Sequence, residues 1–307
     1  MFTTPIGHAA LQQQLADMLA QGRLPHALLM HGPQGVGKGV LARYLAARLM
    51  CGPALPEEAA EQGASLFAEE EPAAPRSAPL PLACNTQSPV WHQLQAGSCP
   101  DYYELMPEEG KKSTGIKQVQ QLLENLQRSA DTARVVVIDT IENLTPEAAN
   151  TLLKTLEEPR AGIVFLLISH QLASVLPTIR SRCRLVRVGV LSAAETRKIF
   201  AIKRVPEAEL DEAIQLCAGA PGAWLNQPEA QRTALHTLRQ GGRPALTTPH
   251  LIDVLQQHLA LSLRQGAPTW AQAQAYQRLQ TLGQQQNTLN LPATLAAEAA
   301  LKLMPRT

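Results

Sequence analysis

The sequence has few aromatic residues, almost no excess charge and no long hydrophobic run. Aromatic residues make up 4% of the 307 residues, and the formal net charge is +1. A chain so close to neutrality has no overall field that attracts nucleic acid, so any DNA contact must come from a local patch or from a partner. No run reaches the roughly 18 apolar residues that a membrane-spanning helix needs. We therefore expect no membrane association.

Cysteine is also scarce and irregularly spaced. The cysteines are an odd set of five, at positions 51, 84, 99, 183 and 217, which does not suit a framework of paired disulfides. The first residues lack the basic stretch followed by an apolar run that is typical of a secretory signal peptide. These two features predict a cytoplasmic protein with reduced thiols.

Short apolar strands alternate with amphipathic helices over the first 190 residues. The runs at 27–30 and 135–138 have the composition of strands that are buried on both faces of a parallel sheet. Apolar residues recur with helical spacing at 116–127, and Thr145 followed by Pro146 is typical of a helix start. This alternation predicts an α/β domain with a parallel sheet.

Composition changes along the chain predict three parts. The α/β domain covers residues 1–190, a small helical lid domain covers 191–227, and an all-helical C-terminal domain covers 228–307. Residues 52–83 interrupt the first domain, and they are rich in Pro, Ala and Glu. Such a segment buries too little apolar surface to offset the entropy of ordering, so we interpret it as a flexible insertion.

The segment GPQGVGK at 32–38 has the spacing of a phosphate-binding P-loop between a strand and a helix. Glycines at Gly32, Gly35 and Gly37 allow backbone N–H groups to turn toward a phosphate, and Lys38 adds positive charge. Gly39 departs from the pattern, because a working loop has Ser or Thr there to ligate Mg²⁺. Two interpretations stay open: a degenerate nucleotide site, or a glycine-rich turn kept only for its shape.

Two strand ends supply further candidates for a nucleotide site. Asp139 ends the strand at 135–138, where a carboxylate that holds magnesium would lie. Ser169 ends the next strand, where a polar side chain could sense the γ-phosphate. The alternatives are a strand-end Asp without a catalytic role and a Ser that hydrogen-bonds a turn.

Four segments resemble a known family. They are RLPHALLMHGPQGVGK at 23–38, CPDYYEL at 99–105, LLKTLEEP at 152–159 and LPTIRSRC at 176–183. Together they cover most of the first domain, and they resemble clamp-loader subunits of the AAA+ ATPases, in particular the delta-prime members of bacterial DNA polymerase III. The resemblance implies an AAA+ P-loop domain, a helical lid and a helical collar that joins subunits in a ring.

The resemblance implies a role for Arg182 in the Ser-Arg-Cys motif. In the family this arginine is a finger that crosses the subunit boundary and touches the γ-phosphate of ATP bound by the neighbour. A planar, permanently charged guanidinium suits that task. The alternative is a surface arginine that pairs with Glu157 or Glu158. Arg180 and Arg184 are weaker finger candidates.

The resemblance also implies that the chain's own ATP site is degenerate. Gly39 replaces Ser or Thr, Thr140 replaces the Glu that polarises the attacking water, and Glu142 is expected to point elsewhere. Ala223 in GAPGA replaces a sensor-2 arginine. A gamma/tau-type ATPase, one alternative function, would need Ser or Thr at 39 and Glu at 140. A stand-alone P-loop phosphotransferase, the other alternative, would need neither LPTIRSRC nor the helical tail.

Partners and cofactors follow from the same resemblance. It implies the gamma/tau and delta subunits, the sliding clamp and primer–template DNA within the assembly, with ATP bound by the neighbouring subunit. Family members also carry a four-cysteine zinc module, but the compact CxxCxxC group is missing here. The remaining candidates, Cys51, Cys84, His92 and Cys99, could surround a tetrahedral ion only with strain, so free thiols are expected.

Overall fold

The computed structural model divides the chain into two compact units, Met1–Gly222 and Ala223–Thr307. It describes residues 2–54, 81–108, 110–111, 113–127, 133–239, 241–242, 244–245, 251–252, 254–256, 258–259, 269–289 and 292–303. Residues 55–80 of the expected flexible insertion lie outside the described residues. The domain boundaries at 190 and 227 stay a prediction.

Five parallel strands form the sheet of the first unit, which confirms the predicted fold class. They are β1 (Ala27–His31), β2 (Tyr102–Leu105), β3 (Arg134–Asp139), β4 (Ile163–Ser169) and β5 (Arg184–Arg187), in the spatial order β2-β3-β4-β1-β5. His31 at the end of β1 lies opposite Ser169 of β4 and Arg187 of β5. Because all the strands run in one direction, their carboxyl ends meet at one edge, where ligands bind in open α/β sheets.

Helices cover both faces of this sheet. The helices that pack on it are α1 (Ala9–Ala20), α2 (Lys38–Cys51), α3 (Pro89–Gln95), α4 (Ile116–Asn125), α5 (Pro146–Glu157) and α6 (Pro177–Arg180). Three more helices follow in the chain, α7 (Ala193–Ile202), α8 (Glu207–Cys217) and α9 (Pro221–Leu225). Val136 and Ile138 of β3 pack on the face that α4 and α5 cover, whereas Val135 and Val137 pack on the face of α2. Burial on both faces is the reason that β3 is a continuous apolar run.

Most predicted helix starts agree with the structure. The Thr145 hydroxyl accepts a hydrogen bond from the Ala148 N–H at 3.3 Å and caps α5, and Ser192 caps α7 in a capping box with Glu195. The sequence analysis missed α3, although Ser88 followed by Pro89 is a start signal of the same kind.

The second unit is mostly helical where the structure describes it. It contains α10 (Glu229–Arg239), α11 (Trp270–Leu289) and α12 (Ala293–Leu303), and the described residues between 251 and 259 are helical as well. Leu255, Leu279 and Ala300 are fully buried in its core. Among the helices that the structure describes, none combines the length and the apolar character needed to cross a bilayer.

Candidate functional site

The P-loop glycines adopt backbone conformations that only glycine enters easily. Gly32, Gly35 and Gly37 have φ values of 154°, 87° and 98°. Gly37 is the N-cap of α2, so the helix begins at Lys38. Gly32 is also tightly packed, because a Cβ there would lie 2.1 Å from the carbonyl oxygen of Val188. Packing as well as local chemistry fixes the loop.

Lys38 is buried against its own loop. Its Nζ donates hydrogen bonds to the carbonyl oxygens of Gly32 at 2.8 Å and Pro33 at 2.6 Å, and the residue is only 3% exposed. Burial lowers the pKa of Lys38 to about 8, although the charges of Asp139 and Glu142 act in the opposite direction. The predicted lysine and strand-end carboxylate are therefore neighbours.

The Asp139 carboxylate is paired with an arginine that the sequence analysis missed. Arg43 of α2 lies 3.4 Å from Asp139, measured from Nη2 to Oδ2, and its Nε donates to Glu104 Oε1 at 2.9 Å. Gly39 offers no side-chain oxygen on the same helix face. A magnesium site of this family needs a hydroxyl at 39 and an accessible carboxylate at 139, so the residues present do not fit Mg²⁺.

Ser169 and Glu142 form a second group at this edge. Ser169 is fully buried, and its hydroxyl donates to Glu142 Oε1 at 3.3 Å. The same oxygen accepts the backbone N–H groups of His170 and Gln171. Glu142 therefore anchors the turn after β4 through three donors, a role that sequence reasoning did not assign. The position of Glu142, three residues after Asp139, does not indicate this role, because the groups that donate to Glu142 lie at the end of a different strand.

A glycine turn at the end of the first unit lies against the P-loop. The Gly222 N–H donates to the carbonyl oxygen of Gly35 at 2.9 Å, and a Cβ on Gly222 would lie 2.8 Å from the Gly35 Cα. Gly219, with φ 80°, packs equally closely against the backbone of Leu191. The first part of the GAPGA stretch is therefore a packing element of the loop.

Arg182 lies on the surface in the turn after α6. Its Nη1 donates to the carbonyl oxygen of Thr178 at 2.8 Å, and its Nη2 forms an ion pair with Glu157. Both partners of that pair are accessible, with side chains 32% and 46% exposed. The surface pairing with Glu157 was the alternative to the finger role, and it is the contact observed in the chain by itself.

Three of the candidate zinc ligands, Cys51, Cys84 and Cys99, lie near one another, and His92 is on the surface. Cys51 and Cys99 pack against an apolar cluster built on Phe2, Ala47 and Leu94, whereas Cys84 is buried in the core beside α2 and His92 is exposed. Burial, followed by the nearby Cys84, raises the pKa of Cys51 to about 11. Among the residues that the structure describes, no group of three or more His, Cys, Asp or Glu side chains is arranged to hold a metal ion.

Comparisons with known proteins identify relatives of this chain. The family model described as DNA polymerase III, delta subunit, matches residues 7–192. The DNA polymerase III subunit delta' of Pseudomonas aeruginosa is 35% identical over 215 residues, which are 68% of this chain and 58% of that protein. The corresponding protein of Yersinia pestis is 33% identical over 254 residues, or 80% and 67% of the two chains. The matches thus span about three fifths to two thirds of these relatives' lengths.

A solved structure has the same fold. It is a DNA polymerase III gamma subunit-related protein from Thermotoga maritima, with a TM-score of 0.53 at 17% identity. The superposition covers 95% of this chain and 98% of that one.

Proposed function

This chain belongs to the family of the DNA polymerase III delta-prime subunits, and from that premise we propose that it supplies Arg182 to a neighbouring ATPase subunit of a clamp loader. In this proposal the neighbour, of the gamma/tau type, binds and hydrolyses ATP. The chain itself hydrolyses none. The assembly, which also includes a delta subunit, loads a sliding clamp on primer–template DNA in the cytoplasm.

One observation carries the proposal: in the same domain, the partly exposed guanidinium of Arg182 lies in a surface ion pair, whereas the carboxylate of Asp139 is paired with Arg43. Arg182 donates to the Thr178 carbonyl oxygen, to the Ser181 hydroxyl and to Glu157, and an exposed ion pair contributes about 0–1 kcal/mol. The pair with Glu157 therefore costs little to break when a γ-phosphate competes for the guanidinium. Asp139 already has a cationic partner in Arg43 and is not available to a metal ion.

The parts of the chain have separate roles in this proposal. Residues 1–190 carry the finger and the degenerate P-loop, residues 191–227 act as the lid, and residues 228–307 join the collar of the ring. The contact between Gly222 and Gly35 supports a link between the lid segment and the loop. A gamma/tau-type function is disfavoured by Gly39 and Thr140, which supply neither a metal ligand nor a base.

The test is reconstitution of the five-subunit loader with variants of this chain. Arg182→Ala should lower the ATP turnover that clamp and primed DNA stimulate, since finger arginines contribute on the order of 10³-fold at the site they serve. The effect on the whole complex should be smaller, because this chain serves one site. Arg182→Lys should behave almost like Arg182→Ala, since an ammonium group cannot form the bidentate fork.

Arg184→Ala is the matched control, because it removes an exposed arginine two residues away. It should leave turnover unchanged, and the assembly of every variant is checked by its size. Wild-type turnover and clamp loading with Arg182→Ala would rule out the finger role. An equal loss with Arg184→Ala would contradict a finger role of Arg182 alone, because Arg184 was the weaker finger candidate and both substitutions remove one positive charge.

The second half of the proposal concerns the chain alone. Purified protein should show negligible ATPase activity, and Gly39→Ser should not restore it, because Thr140 still stands where a base is needed. Turnover like that of an active loader subunit would contradict this half without touching the finger role.

A further inference from the structure

Each carboxylate oxygen of Asp139 and Glu104 accepts a hydrogen bond from another side chain or lies in an ion pair with one. Asp139 Oδ2 lies 3.4 Å from Arg43, and its Oδ1 accepts the Thr140 hydroxyl at 3.2 Å. Glu104 Oε1 accepts the Arg43 Nε at 2.9 Å, and Oε2 accepts the Tyr102 hydroxyl at 2.9 Å. Three side chains, Arg43, Thr140 and Tyr102, thus serve the four oxygens, and the central one is the Arg43 guanidinium.

The guanidinium lies close to the place where a side chain on residue 39 would begin. A Cβ added at Gly39 would lie 3.0 Å from Arg43 Nη1 and 3.2 Å from Asp139 Oδ2. In an active P-loop that Cβ carries the hydroxyl that ligates the magnesium ion. The guanidinium therefore lies at the point where a hydroxyl on residue 39 and the Asp139 carboxylate would jointly face a cation. Arg43 is four residues after Gly39, so both positions are on one helix face.

The charges of the group support this assignment. Burial by itself would lower the pKa of Arg43, but the hydrogen bond and charge of Glu104, with the charge of Asp139, raise it overall. The guanidinium is thus a permanent cation between two carboxylates, as a bound metal ion would be. Its side chain is 24% exposed, close to the 24% of Asp139 and the 22% of Glu104, so the three groups share one partly buried environment.

More cations surround the loop on its other side. Burial lowers the pKa of His31, and the positive charges of Arg187, Lys38 and Arg180 lower it further. Positive side chains therefore face the loop independently of any metal ion.

We propose that the Arg43 guanidinium takes the place of the divalent cation at this P-loop, so that Asp139 and Glu104 are closed to Mg²⁺ and Mn²⁺. The proposal rests on the part of the proposed function which says that the chain itself does not hydrolyse ATP. It adds a cause for that lack of activity beyond the missing hydroxyl at 39 and the missing glutamate at 140. A cation is present, but it is part of the chain and cannot move with a nucleotide.

The experiment measures Mn²⁺ binding to the purified full chain by electron paramagnetic resonance, without nucleotide. Wild type should bind no Mn²⁺ at this place. Arg43→Gln removes the charge and leaves two carboxylates facing each other, so Mn²⁺ should bind at least roughly tenfold more tightly, which corresponds to about 1.4 kcal/mol. Arg43→Lys retains a cation and should resemble wild type.

Asp139→Asn in the Arg43→Gln background tests whether the new metal is at Asp139, and it should abolish the gain. Thermal unfolding gives a second readout, because Mn²⁺ should raise the melting temperature of Arg43→Gln and leave that of wild type unchanged. Mn²⁺ binding to wild type that Asp139→Asn removes would overturn the proposal, and so would an unchanged affinity in folded Arg43→Gln.

These outcomes are independent of the finger role. Failure here would leave the ATPase result with Arg182→Ala untouched, because that result is read on the neighbouring subunit's ATP. Conversely, if Arg182→Ala did not change the ATP turnover of the loader, the metal measurements on the isolated chain would still stand.

Discussion

The P-loop edge of the sheet and the turn that carries Arg182 lie in the same unit, but their charged side chains differ in burial and in the contacts that they make. At the P-loop edge, Lys38 is bound to loop carbonyls and Asp139 to Arg43. At the turn, Arg182 is accessible and its ion pair with Glu157 is on the surface. The comparison teaches that similar ionic groups can be structural in one place and available in another, and that burial makes the difference, since Lys38 is 3% exposed and the Arg182 side chain 32%.

The largest expected effect tests whether packing fixes the P-loop edge. Gly32→Ala brings a Cβ to 2.1 Å from the Val188 carbonyl oxygen, so we expect it to lower the free energy of unfolding by roughly 3–5 kcal/mol. Gly37→Ala is the matched control, because it has a positive φ but no atom within 4 Å of the added Cβ. It should cost roughly 1–2 kcal/mol through backbone strain alone. Urea unfolding of both variants checks the order, and equal losses would show that packing against Val188 is unimportant.

The next effect is the pH dependence that Lys38 causes. Its pKa is lowered from 10.5 to about 8 in the folded chain, so between these values the unfolded state binds more protons. The cost of the buried charge is present in full below pH 8 and disappears as the pH rises toward 10.5. Relative to Lys38→Met, wild type should therefore gain on the order of 3 kcal/mol in this window.

Urea unfolding of wild type and Lys38→Met between pH 7.5 and about 10 measures that difference, and other titrating groups cancel between the two proteins. Parallel stability curves would mean that Lys38 keeps its ordinary pKa. The Lys38 side chain would then be as accessible to solvent as that of Arg182.

The smallest effects compare two glutamates directly. Glu142 accepts three hydrogen bonds at the P-loop edge, so Glu142→Ala should lower the free energy of unfolding by roughly 1–3 kcal/mol. Glu157 has an exposed ion pair with Arg182, so Glu157→Ala should cost less than about 1 kcal/mol. Urea unfolding of the two variants is the measurement. A larger loss of unfolding free energy for Glu157→Ala would show that the contact of Glu157 with Arg182 stabilises the fold more than the contacts of Glu142 do.

Local sequence chemistry determined the fold and the shape of the loop. Continuous apolar runs predicted strands that are buried on both faces, because a parallel sheet has no solvated side. Thr145 predicted a helix start, because its side chain caps the turn that follows it. The P-loop glycines predicted backbone conformations that other residues enter at a cost. The helix caps and the glycine conformations have their causes within a few residues, whereas the packing of Gly32 against Val188 joins distant parts of the chain.

Tertiary structure alone decided which charges meet. Arg43 reaches Asp139 across 96 positions, and Glu142 accepts donors 27 to 29 positions away. Glu157 was named from the sequence as a possible partner of Arg182, but only the turn after α6 makes that contact. Gly39 is the clearest example. The sequence shows that a metal ligand is missing at this position, and only the packing of α2 against β3 shows that the Arg43 guanidinium lies there. Ion pairs depend on distances between side chains, and strands far apart in the chain set those distances only after the sheet has formed.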